Sequence, residues 1–409
     1  MNRVENNKRG RAREPWIRLS KRKELPWYRA WLIRLAAILA ALLVCSLLTT
    51  WITGLNPLGV FRTMAEGSFG TERKLWILLR DMAILLCVSL ALTPAFRMKF
   101  WNLGGEGQIL MGALATAACM ILLGHRLPSG LLMVLMVASS IGAGAIWGAI
   151  PAFFKAKWNT NETLFTLMMN YVALQIVAFF IIRWESPKGS GKVGVINQDS
   201  QAGWFPMIGE NRYLLNILIV AALTILIYIY MKYSKHGYEI SVVGESQNTA
   251  RYIGIKVGRV ILRTMLLSGA ICGLAGLLLV AGTNHTVTTT ITGGRGFTAV
   301  MVAWLAQFHP FAMIGSSFLL VFMDRGAAEI STAYGLNQSF GDSLTGIILF
   351  FLIGCEFFIR FQIHIRPAKG ERKKTRLKNA AGEGEDGGKV RLEKAGVHDK
   401  SVKEDSEYV

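Results

Sequence analysis

The sequence predicts an all-α membrane bundle on three observations. Apolar residues make up 52% of its 409 positions. Asp, Glu, Lys and Arg make up 17%, against about 25% in an ordinary soluble domain. The charges also gather at the ends. Residues 1–34 hold eleven Lys/Arg and three Asp/Glu, residues 360–409 hold thirteen and nine, and the 325 residues between are apolar runs broken by short polar stretches. A soluble enzyme is excluded. A nucleic-acid partner is excluded too, despite the net charge of +19. The excess lies in tails and short loops beside apolar spans, as the positive-inside rule expects, and not on a folded face interleaved with aromatics. Three regions follow: a cytoplasmic basic tail over 1–30, a transmembrane domain surrounded by lipid over 31–365, and a charged cytoplasmic tail over 366–409. The last is rich in Lys, Glu and Gly, nearly without aromatics, and so expected to be disordered.

About 20 mostly apolar residues cross a bilayer core of about 30 Å. Seven segments meet this plainly: 33–53, 76–96, 104–123, 129–151, 162–183, 213–231 and 262–282. The first is preceded by a long basic segment and followed by no A-x-A site, so it reads as a retained signal anchor with the amino terminus inside. Three shorter runs follow, at 297–308, 311–323 and 343–359. Counting them as three crossings gives ten and leaves both basic tails in the cytoplasm. One crossing over 297–323 would put the basic tail outside, against the positive-inside rule. Eight crossings with a re-entrant pair over 297–323 also satisfy parity. Ten is the expectation, with a broken helix near His309-Pro310 and an external loop at 324–342. Inside fall Arg97, Lys99, Lys155, Lys157 and the long loop 232–262; outside fall 54–75, 184–212 and 283–295. Small residues recur at helix-packing spacing in Ser140, Gly144 and Gly148 and again in Gly269 and Gly273, stripes that let backbones approach closely in lipid. The five cysteines sit singly inside apolar segments and read as small core residues.

No catalytic motif is present: no H-E-x-x-H, no G-x-S-x-G, no Cys/His metal spacing. Gly189-Ser190-Gly191-Lys192 resembles the end of a phosphate loop, but Ser186 stands where its first Gly belongs and Val193 where its Ser/Thr belongs. The segment reads as a turn in an external loop. No cofactor is expected.

Four polar constellations remain. The first runs from Phe100 to Gln108 at the start of the third span. There Asn102, Glu106 and Gln108 lie among Gly104, Gly105 and Gly107, and Glu106 either contacts a transported solute or caps its helix. The second opens the fifth span, from Asn161 and Glu162 to Asn170 and Tyr171; these face a pathway or bond helix to helix. The third is the loop 232–262, whose polar stretch Gly244 to Ile255 reads as a short helix between turns, a docking element or a solvated linker. The fourth is Gly293 to Thr298 with the broken helix after it, and Thr283 and Asn284 just before. Discontinuous helices often line transport sites.

In this order the four constellations resemble the permease subunits of ABC importers of the branched-chain amino acid/ribose superfamily, in the nucleoside or simple-sugar branch served by basic-membrane-protein-type receptors. That branch typically reads F-N-I-G-x-E-G-Q where this chain runs from Trp101 to Gln108, and N-E-x-x-x-x-L-M-L-N-Y where it runs from Asn161 to Tyr171. It reads G-x-N-x-x-A-A-x-Y-x-G-I where this chain runs from Gly244 to Ile255, and G-x-G-F-T-A-I-A-V-A-L-L-G where it runs from Gly294 to Ala306. The likeness covers about residues 30–365. Ser246, Thr249 and Ala306 depart from it.

The resemblance implies a non-catalytic permease working with ABC ATPase subunits, a second permease chain that is related and shorter, and an extracytoplasmic substrate-binding protein, in a bacterial plasma membrane. The ATPase-coupling residues it implies are Gly244, Glu245, Ser246, Asn248, Ala250 and Gly254. The candidate pathway residues are Asn102, Glu106, Gln108, Asn170, Tyr171, Thr283 and Asn284. They are mostly neutral hydrogen-bonding groups, and no cationic cluster is evident within the spans. A small neutral polar solute is expected, a nucleoside before a hexose or pentose. The alternative is an ion-coupled carrier or channel, disfavoured because few ionisable groups lie inside spans and Arg80 and Asp81 read as an adjacent pair near the outer interface.

Overall fold

The computed structural model describes residues 17–21, 26–54, 56–209 and 211–365. The tail at 366–409 and most of the tail at 1–30 lie outside the described residues. The helices are α1 (Trp27–Thr53), α2 (Pro57–Phe69), α3 (Glu72–Arg97), α4 (Gly105–Leu123), α5 (Ser129–Trp158), α6 (Glu162–Trp184) and α7 (Leu214–Tyr233). They continue as α8 (Lys235–Glu245), α9 (Gln247–Tyr252), α10 (Val257–Leu279), α11 (Arg295–Leu305), α12 (Pro310–Ala333) and α13 (Gln338–Arg360). One π-helical turn, Val280–Asn284, extends α10. The protein is all-α apart from two five-residue strands, β1 (Ile17–Lys21) and β2 (Phe361–Ile365).

The chain divides into two compact units whose boundaries fall within α1 and α13. In the smaller, β1 pairs with β2 antiparallel, Ile17 opposite Ile365 and Lys21 opposite Phe361. The two ends of the membrane part therefore lie side by side, which requires an even number of crossings between them.

In the larger unit, Arg34–Glu356, the helices sort by burial. The most apolar window of α10 is 78% buried and that of α3 67%, against 22% for α5. So α3, α4 and α10 form the core, with Leu90, Ile109, Met265 and Leu277 fully enclosed. The outer helices keep apolar side chains on their free faces, as lipid contact demands. The two expected small-residue stripes meet each other: a β-carbon on Gly144 would strike the Gly269 carbonyl, and one on Gly273 the Ser140 carbonyl. Gly112 and Gly276 extend this seam to α4, where a β-carbon on either would strike the facing backbone.

Nine described helices are long and apolar enough to cross a membrane, and α11 is a shorter apolar helix. Its eleven residues rise about 16 Å, half of a core of about 30 Å. The other half of this crossing is the non-helical stretch before it. The amide of Ile196, in the 184–212 loop, donates to the His285 carbonyl at 2.8 Å. Farther along, Arg295 meets Asp81 in the first half of α3, and Phe308 stacks on Phe96 at the far end of α3. The stretch 295–308 thus runs beside α3 from Asp81 to Phe96. Counted with the nine described helices it would make ten crossings, the number expected from the sequence.

Two boundaries differ from the sequence reading. The break near His309-Pro310 is the turn between α11 and α12, formed by Gln307 and Phe308 at positive φ; the irregular backbone inside the bundle lies upstream, at 286–294. The segment 324–333, expected in an external loop, continues α12. Its charges are tolerated there because Arg325 pairs with Asp81 and Glu329 with Lys74.

Candidate translocation site

The site is built where α4 begins. After α3 ends, Lys99 takes a left-handed turn (φ 58°) and residues 100–104 form a loop into the bundle. Asn102 holds that loop. Its Oδ1 accepts from the Gly104 amide at 3.0 Å and from Gln108 Nε2 at 3.3 Å, and its Nδ2 donates to Ser268 Oγ of α10 at 3.2 Å. Asn102 and Gln108 are both buried. Asn170 of α6 closes the other side: its Oδ1 accepts from the Gly107 amide at 2.8 Å and its Nδ2 donates to the Leu103 carbonyl at 2.8 Å. A β-carbon at Gly107 would crowd Asn170 and the Trp147 ring, which explains the glycine.

Glu106 sits on this scaffold and caps a different helix from its own. Its carboxylate accepts from the Thr292 hydroxyl, from the Gly294 amide at 3.1 Å and from the Gly296 amide at 2.7 Å. The last two lie where α11 starts, whose first N–H groups have no partner within their helix. A carboxylate at that end also meets the positive pole of the helix dipole. Glu106 therefore pins the break.

Four of the seven candidate pathway residues, Asn102, Glu106, Gln108 and Asn170, are thus brought together. The other three are not. Tyr171 is 62% exposed, on a different face of α6 from the buried Asn170. Thr283 lies in the π turn, accepting from Asn216 Nδ2 at 3.2 Å, and Asn284 is exposed at its last position. Thr292, Ser268 and Asn216 also bond within these networks, and the sequence does not reveal them, since a single Thr, Ser or Asn in an apolar run carries no spacing signal.

The charge cluster at Asp81 corrects the sequence reading. Asp81 is buried, and it accepts from Arg80 at 2.9 Å, from Arg295 at 3.3 Å and from Arg325. One carboxylate thereby joins α3, α11 and α12. The adjacent pair is part of a hub in which three arginines meet one carboxylate. Three arginines in otherwise apolar segments were the available signal, because such charges need partners.

On the side where α3 ends, the loop 232–262 forms two helices, α8 and α9, hinged at Ser246. The Ser246 hydroxyl accepts from the Thr249 amide at 3.2 Å, an N-cap that Ser forms as well as the Asn usual in the family-like motif. Gly244 packs so closely on α3 that a β-carbon would strike the Arg97 carbonyl. Ala250 is buried beneath α9, while Glu245, Asn248 and Gly254 are exposed and Tyr252 is 92% exposed. Gly254 (φ +86°) has no atom within 4 Å of a β-carbon position.

On the opposite side, the loop 184–212 caps the end of α10. Trp204 stacks on His285 with ring centroids 3.8 Å apart. Burial, with Arg212 second, pushes the His285 imidazole down to about 4. In the Gly189–Lys192 turn, the Gly191 amide is taken by Glu185 at 3.0 Å, and the backbone N–H groups of Gly189 and Gly191 hold that carboxyl below its ordinary range.

These features define a multi-pass membrane protein organised around one discontinuous crossing and a protruding two-helix element. The chain belongs to the family described as branched-chain amino acid transport system / permease component, which matches residues 75–353. It is 27% identical over 362 residues to the glucose ABC transporter permease protein TsgB13 of Haloferax volcanii, covering 85% of this chain and 94% of that one. It is also 27% identical over 343 residues to the guanosine ABC transporter permease protein NupP of Bacillus subtilis, covering 83% and 97%. A third relative is the nucleoside ABC transporter permease protein NupB of Lactococcus lactis, 27% identical over 320 residues, covering 76% and 87%.

Proposed function

We propose that this chain is the membrane-spanning permease subunit of an ABC importer for nucleosides or simple sugars. Family membership and three relatives so named, each matched over most of its length, support the class of cargo. The observation that carries the mechanism is the α8–α9 element. It is anchored through Gly244 against the end of α3 and offers Tyr252, Ile253 and Gly254 to a partner. An ATPase docked there would push on α3 and α10, the two most buried long helices, and through them on the pinned break. The chain itself hydrolyses nothing in this scheme. A second, related permease chain completes the pathway, an extracytoplasmic binding protein delivers the solute, and both termini lie in the cytoplasm.

The test is uptake of labelled uridine, adenosine, ribose and glucose into vesicles holding the assembled transporter. Uptake should require internal ATP and the binding protein. Tyr252→Ala, exposed and so of little effect on folding, should lower co-purification of the ATPase. Uptake driven by an ion gradient without ATP would overturn the proposal in favour of a secondary carrier.

A further inference from the structure

We propose that a cavity where α5 ends binds the headgroup of an anionic phospholipid. This goes beyond the importer function and does not depend on its cargo. The cavity measures about 350 Å³ and lies between the last turn of α5, the short helix α9 and the first turn of α10. Three cations line it, Lys155, Lys157 and Arg251, and among its described lining residues none is acidic. Glu162 neutralises Lys155 at 2.8 Å. Lys157 and Arg251 have no carboxylate partner among the described residues.

The other polar groups of the lining are donors too. Asn159 and Gln247 each bring a side-chain amide, which can offer two N–H groups. Val257 and Gly258 open α10, and their backbone amides have no acceptor among the described residues. The first turn of α10 carries no acid, and no side chain caps it. A phosphate group supplies acceptor oxygens for these donors and a charge for Lys157 and Arg251, with the positive end of a 23-residue helix beside it.

A phosphate could come from a lipid or from solution, and the surroundings favour the lipid. Lys157 Nζ lies 4.7 Å from the centre of the Trp158 ring and 5.8 Å from that of Phe153. Both rings are exposed, and a Trp with a Lys at the end of a span marks the headgroup level. Ile146, also exposed, is seven residues before Phe153 and so shares its helix face. The two give an acyl chain an apolar track leading away from the cavity. Basic pockets between spans at this level suit anionic headgroups. A zwitterionic headgroup brings an ammonium for which the lining has no carboxylate. The surface offered to the ATPase is a different one. Gln247 and Arg251, four residues apart, share the face of α9 that lines the cavity, whereas Asn248 and Tyr252 share the next face round. A lipid held here would tie α9 to α5 and α10.

The experiment titrates the purified transporter complex in detergent with phosphatidylglycerol, phosphatidylethanolamine or inorganic phosphate and follows retained lipid by native mass spectrometry. The first phosphatidylglycerol should bind more tightly than phosphatidylethanolamine, and an equal concentration of inorganic phosphate should not displace it. Lys157→Gln and Arg251→Gln should each weaken it about five-fold, and the double variant more. Both side chains are exposed, so these changes should leave folding intact. Lys157→Arg, which keeps the charge, should bind as the wild type does. Lys99→Gln, an exposed cation at the same end of the bundle but outside the cavity, should change nothing. Equal retention of the two lipids, or equal weakening in Lys99→Gln and the double variant, would overturn the proposal. Displacement by inorganic phosphate would assign the cavity to a soluble anion instead. A double variant that keeps its phosphatidylglycerol but loses the ATPase would make the cavity a partner contact.

Discussion

Glu106 shows how a single side chain can set the geometry of a transmembrane crossing. Its carboxylate satisfies three donors at the break that would otherwise face one another in a low dielectric. Each donor left without an acceptor costs about 1–3 kcal/mol. Glu106→Ala should therefore lower the melting temperature of the solubilised complex and abolish uptake. Glu106→Gln, which turns a donor toward donors, should fall between the two; unchanged melting and uptake in Glu106→Ala would refute the pinning role. At the other end of the same stretch, His285 is held neutral under Trp204 with its pKa pushed down to about 4, from an ordinary value near 6.5. A depressed folded value means the unfolded chain binds more protons between those limits. The contribution to stability is full above about pH 6.5 and is lost as pH falls toward 4. The wild-type complex should melt lower at pH 4.5 than at pH 7.5, and His285→Gln should narrow that difference. An equal pH dependence in the variant would assign the effect to other groups.

Helices were legible in the sequence to the extent that hydropathy alone decides them. The seven clear spans appear as helices because each is a mostly apolar run of membrane length, and the stripes at Ser140–Gly148 and Gly269–Gly273 meet because small residues at a four-residue spacing have few other uses in lipid. The C-terminal end of α12 was not legible, since Arg325 and Glu329 look like loop residues until Asp81 and Lys74 of α3 neutralise them. The scaffold around Glu106 was legible as a cluster, through its glycines and amides, but its partner was not. Nothing local to Gly104–Gln108 says that the carboxylate will cap a helix that begins at Arg295. The seam makes its own prediction. Gly273→Leu places a side chain into the Ser140 carbonyl and the Gly144 backbone, where overpacking costs about 1–3 kcal/mol or more. It should lower the yield of monodisperse protein sharply. Gly142→Leu, two residues from Gly144 but with open space at its β-carbon, should not. Equal yields from the two would mean that this seam does not hold α5 to α10.

For the molecule as a whole, two independent observations bear on the topology. The pairing of β1 with β2 demands an even number of crossings, and counting helices of membrane length gives nine. The stretch 286–305 resolves the difference, because half of it is helix and half is backbone held by Glu106 and Arg295. The charge distribution predicts the direction, with the basic segment before α1 and the Lys/Arg-rich loop with α8 and α9 on the cytoplasmic side. Single cysteines in a chain lacking the native five test this arrangement. Ser190 lies in the 184–212 loop and Ser339 near the start of α13, both exposed, and Asn248 is exposed on α9 without a capping role. Ser190→Cys and Ser339→Cys should react with an impermeant thiol reagent in intact cells, and Asn248→Cys only after lysis. Ser339 is the informative position, because it is external only if 286–305 crosses the membrane. Were that stretch confined to the outer surface, α12 would run inward and α13 would begin in the cytoplasm. Ser339→Cys would then label only after lysis, together with Asn248→Cys, and the ten-crossing topology would fall.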